Sequence, residues 1–208
     1  MATPLSAAPD ILAQVADRQS PRPPSPQVVQ ALLDTERAAK HPRPALAVDS
    51  LLGQWQLRFT APNKPAYKAG EPTGKGFYWP GLVPGSIRFS RPAPDSQTDP
   101  NPSSPDRLAI ENQIQLGPLA LRFSGPAKFL QKQNLLAFDF VQVQVFLGRL
   151  CLLKLPIKGR AGTENFATTP IAKLPFFAFF AATESYLAAR GRGGGLALWV
   201  KSNNGLAT

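Results

Sequence analysis

The chain holds one cysteine, one histidine and 13 acidic residues, and each scarcity closes off a line of chemistry. With Cys151 alone, no internal disulfide is possible, which suits a reducing compartment. One histidine and one cysteine do not supply the usual zinc ligand sets. His41 lies in the proline-rich stretch HPRP, so a Ser-His-Asp or Cys-His arrangement has no base in the core. Eight carboxylates fall beyond residue 60, and four of them (Glu71, Asp95, Asp99, Asp106) sit in loop-like stretches. Glu111 and Asp139 point opposite to their apolar neighbours, toward solvent. No pair is patterned as general acid and base, so an enzyme is not expected, and no catalytic residue, metal or cofactor is assigned. Long apolar runs are missing too: a membrane-spanning helix needs roughly 18–20 residues. The longest candidate, LPFFAFFAA at 174–182, is half that.

Positive charge is abundant. Lys and Arg number 23, giving a net charge of +10, which favours an anionic partner: nucleic acid, an acidic protein or a membrane with anionic head groups. Each basic residue near an anionic membrane contributes about 1 kcal/mol, so a handful suffices for peripheral docking. The N-terminus lacks a basic stretch followed by an apolar core, so a secretory signal is not expected. Asp10, Asp17, Asp34 and Glu36 also depart from the acid-poor character of a transit peptide. The 23 prolines cluster at 21–26, 42–44 and 92–105, which read as linkers or loops. Phenylalanines sit almost entirely after residue 58, so the apolar core is C-terminal to the first proline clusters. Residues 1–45 thus read as a helical and Pro-rich segment, and 46–208 as the main domain.

Periodicity gives the fold class. PDILAQVADRQ (9–19) suits a short helix. PQVVQALLDTERAAK (26–40) suits a second, with Ser25 as its cap, Pro26 in its first turn, and Val29, Leu32 and Leu33 on one stripe. From Leu51 the period changes to two. LLGQWQLRFT (51–60), IRFS (87–90), RLAIENQIQL (107–116), ALRFSG (120–125), LLAFDFVQVQVFL (135–147), RLCLLKLPI (149–157) and LALWVK (196–201) all read as strands. In 135–147 the apolar set changes phase, from Phe138 and Phe140 to Val141, Val143 and Val145. That predicts a bulge near 140–141, or a strand buried on both sides. About eight strands joined by short turns predict a mainly β protein: an antiparallel β-barrel preceded by N-terminal helices. Trp55 is expected to close its floor.

In such a barrel the inward aromatic residues are both core and pocket wall, which nominates Trp55, Phe59, Phe77, Trp79, Phe89, Phe123, Phe138 and Phe140. Asn112 shares an apolar face with Leu108, Ile110, Ile114 and Leu116. Its amide must satisfy a bend in the backbone or face a ligand, since leaving it unpaired costs roughly 1–3 kcal/mol. Phe176, Phe177, Phe179 and Phe180 cannot all point inward. They form either a membrane-contacting patch beside Lys173 or a surface packed beneath the N-terminal helices. RGRGGG (190–195) has the look of an RNA-binding or phosphate-binding segment. It occurs once, however, and feeds a strand rather than a helix N-terminus, which favours a turn with two solvated arginines.

The order of these pieces resembles the plastid lipid-associated protein (fibrillin) family over roughly residues 27–201. VQALLDTERAAKHPRPA is followed by SLLGQWQLRFTA, GKGFYW, IENQI, a Phe-rich strand pair and ESYLAARGRGGGLALWV. The most specific pieces are Leu52, Gly53, Trp55 and Thr60, then Asn112, and the closing Tyr186-Leu187 with Arg190 and Arg192. The resemblance implies a lipocalin-like protein that binds or shelters a lipophilic molecule (carotenoid, quinone or lipid) without catalysis, with Tyr186 and Arg190 among the ligand-binding residues. It implies a thylakoid or plastid lipid globule setting and peripheral contact with an anionic membrane. The missing transit peptide suits a cyanobacterial protein or a trimmed plastid one. The acidic run usual in the family after Tyr-Leu is lacking here, so no role for such acids carries over. Two other readings remain: a structural coat of lipid globules or thylakoids using KLPFFAFF, and bilin-lyase-like chromophore attachment. Nucleic acid is not an expected partner.

Overall fold

A computed structural model describes residues 8–41, 45–92, 107–159, 166 and 168–202. Two helices lead: α1 (Ala8–Ala16) and α2 (Ser25–Ala38). The N-cap of α2 falls on Pro24 and no side chain caps it, so Ser25 belongs to the first turn instead of capping it. Pro26 sits in that turn without cost, because its missing N–H would have no helical partner there.

The strands are β1 (Gly53–Ala61), the short pair β2 (Ala66–Lys68) and β3 (Glu71–Thr73), β4 (Phe77–Tyr78), β5 (Gly85–Ser90), β6 (Arg107–Leu116) and β7 (Leu119–Leu130). They continue with β8 (Leu135–Phe138), β9 (Gln142–Leu147), β10 (Leu150–Pro156), β11 (Phe176–Ala182), β12 (Tyr186–Gly191) and β13 (Leu196–Lys201). Antiparallel pairing runs β7-β6-β5-β1-β13-β12-β11-β8 and back to β7, which closes an eight-stranded barrel. The architecture is mainly β, an antiparallel barrel of lipocalin-like form, as expected.

Trp55 closes the floor. Its indole N–H donates to the Leu51 carbonyl at 2.8 Å, and Leu46, Val48 and Leu52 pack against the core cluster to which it belongs. The helices cover a different surface, the outer face of β1, β12 and β13. There Leu12, Val15, Val28, Val29 and Leu32 bury Phe59, Tyr186, Leu198 and Val200. Arg58 pins the C-terminal end of α1 by donating from Nε to Val15 O at 3.1 Å, a position where the helix dipole favours a cation. Burial, with Arg22 and Arg18 nearby, lowers the Arg58 pKa.

Three irregularities decide which side chains enter the barrel. A register shift between Leu57 and Phe59 in β1 leaves Trp55 and Leu57 inside but moves Phe59 and Ala61 to the helix-covered face. A shift between Phe179 and Ala181 in β11 puts Ala181 beside Phe180 on the helix-covered face, while Phe177 and Phe179 stay inside. The third is the bulge expected near 140–141. Ala127 faces Phe138 while Ser124 faces Gln142, so one extra residue stands on the β8–β9 side. The backbone stays paired through it, with Asp139 N–H to Pro126 O at 3.1 Å and Val141 N–H to Ser124 O at 3.0 Å. The extra residue cancels the phase change in the sequence: Phe138, Phe140, Val143 and Val145 come to the same side of the sheet. Asp139, expected to face solvent, is instead 2% exposed. The chain returning from β10 covers it (Ile157 N–H to Val141 O, 2.9 Å).

Candidate functional site

Below the bulge, β7 pairs with β8 and the barrel is closed; above it, β7 pairs with β9, which pairs with β10 and not with β11. The β9–β10 hairpin therefore flares away and leaves the upper barrel open on one side. The closed lower half is filled by its own side chains: Trp55, Phe89, Ile110, Phe129, Leu136 and Leu187 are fully buried.

Just inside the mouth lies a cavity of about 160 Å³ lined by Leu57, Trp79, Gly85, Ser86, Ile87, Asn112, Ile114, Phe177 and Trp199. Trp79 is held over it by an indole hydrogen bond to Val83 O at 2.6 Å, and Phe77 stacks on the indole from the solvent side at 6.4 Å. Asn112 is the one amide side chain in the wall. Register places it opposite Ile87 on β5 and Phe123 on β7, so the alternation that marked it in the sequence does put it on the inner face. A row of aromatic rings runs from the flared strands toward the interior. Successive centroids are 5.8 Å apart for Phe123–Phe140, 5.2 Å for Phe140–Phe138, 5.0 Å for Phe138–Phe177 and 5.3 Å for Phe177–Trp199.

The flared sheet is two-sided. Cross-strand neighbours Asn112, Phe123, Val143 and Leu155 share the inner face, as do Ile114, Leu121, Val145 and Leu153. On the outer face the corresponding row is Gln113, Arg122, Gln144 and Lys154. Arg122 donates to Gln113 Oε1 at 3.1 Å and lies 4.6 Å from the Phe146 ring centroid. The inner face continues the barrel lumen without covering, and every residue of β10 is exposed. A larger groove of about 350 Å³ on the outer barrel wall is lined by Arg18, Gln54, Gln56, Gln113, Gln115 and Lys201 among others. Its polar walls offer little apolar burial.

Of the nominated ligand residues, Trp79 and Asn112 line the cavity, and Phe123, Phe138 and Phe140 form the adjoining aromatic row. Trp55 is floor, and Phe77 is the outer layer of the rim. Phe59, Tyr186 and Arg190 are corrected to the outside of the barrel, the first by the β1 bulge and the other two by their parity in β12. The expected membrane patch is corrected as well. Phe177 and Phe179 are interior, Phe180 lies beneath the helices, and Phe176 packs with Phe166 and Leu174. Leu57, Ile87, Ile114 and Trp199 were not nominated. Ile114 shares the face of Asn112 two residues on, so the same alternation would have found it.

The arginines of RGRGGG are bonded, not solvated. Arg190 grips Glu36 of α2 through Nε–Oε1 and Nη2–Oε2, both 2.6 Å, and reaches Pro65 O at 3.1 Å. Arg192 donates to Leu174 O at 2.9 Å. Gly191–Gly195 then turns back into β13, with Gly194 in the left-handed region (φ +87°). The Arg190–Glu36 pair locks α2 to the sheet while remaining partly open to solvent. Arg190→Met is expected to lower stability by about 2 kcal/mol, below the loss for a fully buried pair because solvent screens the abandoned carboxylate. Urea melts of Arg190→Met, Glu36→Gln and the double variant check this. The double should cost clearly less than the two singles added.

Compared with known proteins, the chain matches no family model, and no curated protein matches its sequence.

Proposed function

We propose that the protein binds a lipophilic molecule, without catalysis, at the open mouth of its barrel. The observation that carries this reading is the continuity between the aromatic-walled cavity and the uncovered apolar face of the flared sheet. A cavity of about 160 Å³ is too small for a whole ligand of ordinary size, since pockets for such molecules run roughly 300–1,000 Å³. It fits a ring or chain end, with the rest of an elongated guest lying along Ile114, Leu121, Phe123, Val143 and Val145. Removing apolar surface from water contributes about 25 cal/mol per Å², so 200 Å² of guest surface supplies about 5 kcal/mol before association costs. Asn112 offers one polar contact to a carbonyl or hydroxyl at the buried end. That pattern suits a quinone, an oxygenated carotenoid or a lipid, the class implied by the resemblance to plastid lipid-associated proteins. The setting implied is a thylakoid of a cyanobacterium or plastid.

All-trans-retinol, a fluorescent polyene alcohol, tests the reading. Saturable enhancement of its fluorescence is expected. Asn112→Leu should weaken binding about two- to tenfold, the value of one hydrogen bond. Ile114→Trp, at a position open to solvent on one side, should fill the mouth and weaken it further. Absence of saturable uptake, or affinity untouched by both changes, would reject the site.

A further inference from the structure

We propose that the paired tips of the β6–β7 and β9–β10 hairpins dock the protein on an anionic lipid bilayer, with the open side of the barrel facing the lipid. The proposal adds a partner to the ligand-binding reading, yet docking needs no guest and stands if that reading fails.

The large hydrophobic side chains left exposed among the described residues all lie at the mouth end or on the flared strands; Leu82, Leu116 and Leu150 are the most open, at 88%, 60% and 64%. Two turns lie side by side at the extreme end, Leu116-Gly117-Pro118-Leu119 and Leu147-Gly148-Arg149-Leu150. They are joined by Gly148 N–H to Pro118 O at 2.7 Å, and Gly117 and Gly148 both occupy the left-handed region (φ +56° and +58°). Each tip is thus a pair of leucines flanking a tight turn. Soluble monomers rarely leave an apolar area of more than a few hundred Å² uncovered, so a surface of this kind marks a partner.

Charge selects the partner. Residues 112–124 and 142–156 contain Arg122, Arg149 and Lys154 and no acidic residue. A second copy of the chain would bring the same positive set against its own, whereas anionic head groups neutralise it while the leucines enter the acyl boundary. On the outer face of the same strands Gln113 and Gln144 stay in water while the long Lys154 side chain, close to the tip, reaches back to the head groups, so apolar insertion is one-sided. A guest leaving the bilayer would meet the mouth directly.

Co-sedimentation with phosphatidylcholine vesicles, with and without phosphatidylglycerol, tests this on the full chain. Binding is expected to vesicles containing phosphatidylglycerol and to be weaker without it. Leu116→Ser with Leu150→Ser should reduce partitioning about tenfold or more on both. Arg149→Glu with Lys154→Glu should reduce it on the anionic vesicles alone. These side chains are exposed, so circular dichroism and vesicle-free retinol uptake should be unchanged in the leucine variant. Vesicle binding without retinol uptake by the wild type keeps the docking surface and removes the ligand reading. No binding to anionic vesicles, or binding indifferent to the leucine change, overturns the proposal. So does a concentration-dependent dimer that the leucine change dissolves in a protein that ignores vesicles.

Discussion

Gly125→Ala is expected to disrupt the junction at which β7 passes from one partner to the other, and to cost more than any surface change of similar size. A Cβ at this position would stand 1.8 Å from the Asp139 carbonyl oxygen, 2.9 Å from its carbon and 3.2 Å from Phe140 Cα. All three obstacles are backbone, so no rotamer change relieves them. Relief requires β7 to move away from the bulge, breaking the Asp139–Pro126 and Val141–Ser124 hydrogen bonds that keep the strand paired there. Overpacking that shifts backbone costs roughly 1–3 kcal/mol, and two lost buried hydrogen bonds add about 1 kcal/mol each, so about 3–5 kcal/mol is expected. That is a large part of the roughly 5–15 kcal/mol that holds a domain folded. Urea denaturation of Gly125→Ala beside Gly193→Ala isolates the cause, because nothing lies within 4 Å of a Cβ at Gly193. The second variant should stay within about 0.5 kcal/mol of wild type. A Gly125→Ala midpoint close to that of Gly193→Ala would mean that the strands do not approach this closely.

That junction also marks where sequence reading stops. Alternation found β1, β5, β6, β7, β9, β10 and β13, because a half-covered strand repeats every two residues whatever its neighbours are. It located Asn112 on the inner face for the same reason. Alternation cannot count a residue that a bulge inserts, and Phe59 lies beyond the one in β1. Phe59 has the parity of Trp55 but the opposite side of the sheet. In 135–147 the change of phase left a bulge or a strand buried on both sides as the two readings, and the pairing realises the bulge. That it reunites Phe138 and Phe140 with Val143 and Val145 depends on the partner register. The flared leucines were legible as a strand and not as a surface: RLCLLKLPI reads alike whether its apolar side is covered or bare. The phenylalanines of 176–180 drew the membrane expectation through their density, yet three different surfaces divide them. Only the fold assigns exposure.

Trp55→Ala is expected to be the costliest single truncation in the barrel. The indole is fully buried, packs in one cluster with Ile87 and Phe89, and lies 5.2 Å from the Lys201 ammonium that faces its ring. Truncating a buried Trp costs about 3–5 kcal/mol through lost burial and the cavity left behind. For a chain of this size each kcal/mol lowers the melting temperature by roughly 2–4 °C, so a fall of about 6–20 °C follows. Two contributions separate with Trp55→Phe, which keeps most of the apolar area but strands the Leu51 carbonyl that the indole N–H now satisfies at 2.8 Å. An unpaired buried acceptor costs about 1–3 kcal/mol, so the phenylalanine variant should fall between wild type and alanine. Because Trp55 does not line the cavity at the mouth, retinol affinity should hardly change in Trp55→Phe while stability drops. Equal losses in the Phe and Ala variants would assign the floor's strength to the hydrogen bond that fixes residues 48–52 beneath the barrel. A phenylalanine variant as stable as wild type would assign it to apolar filling alone.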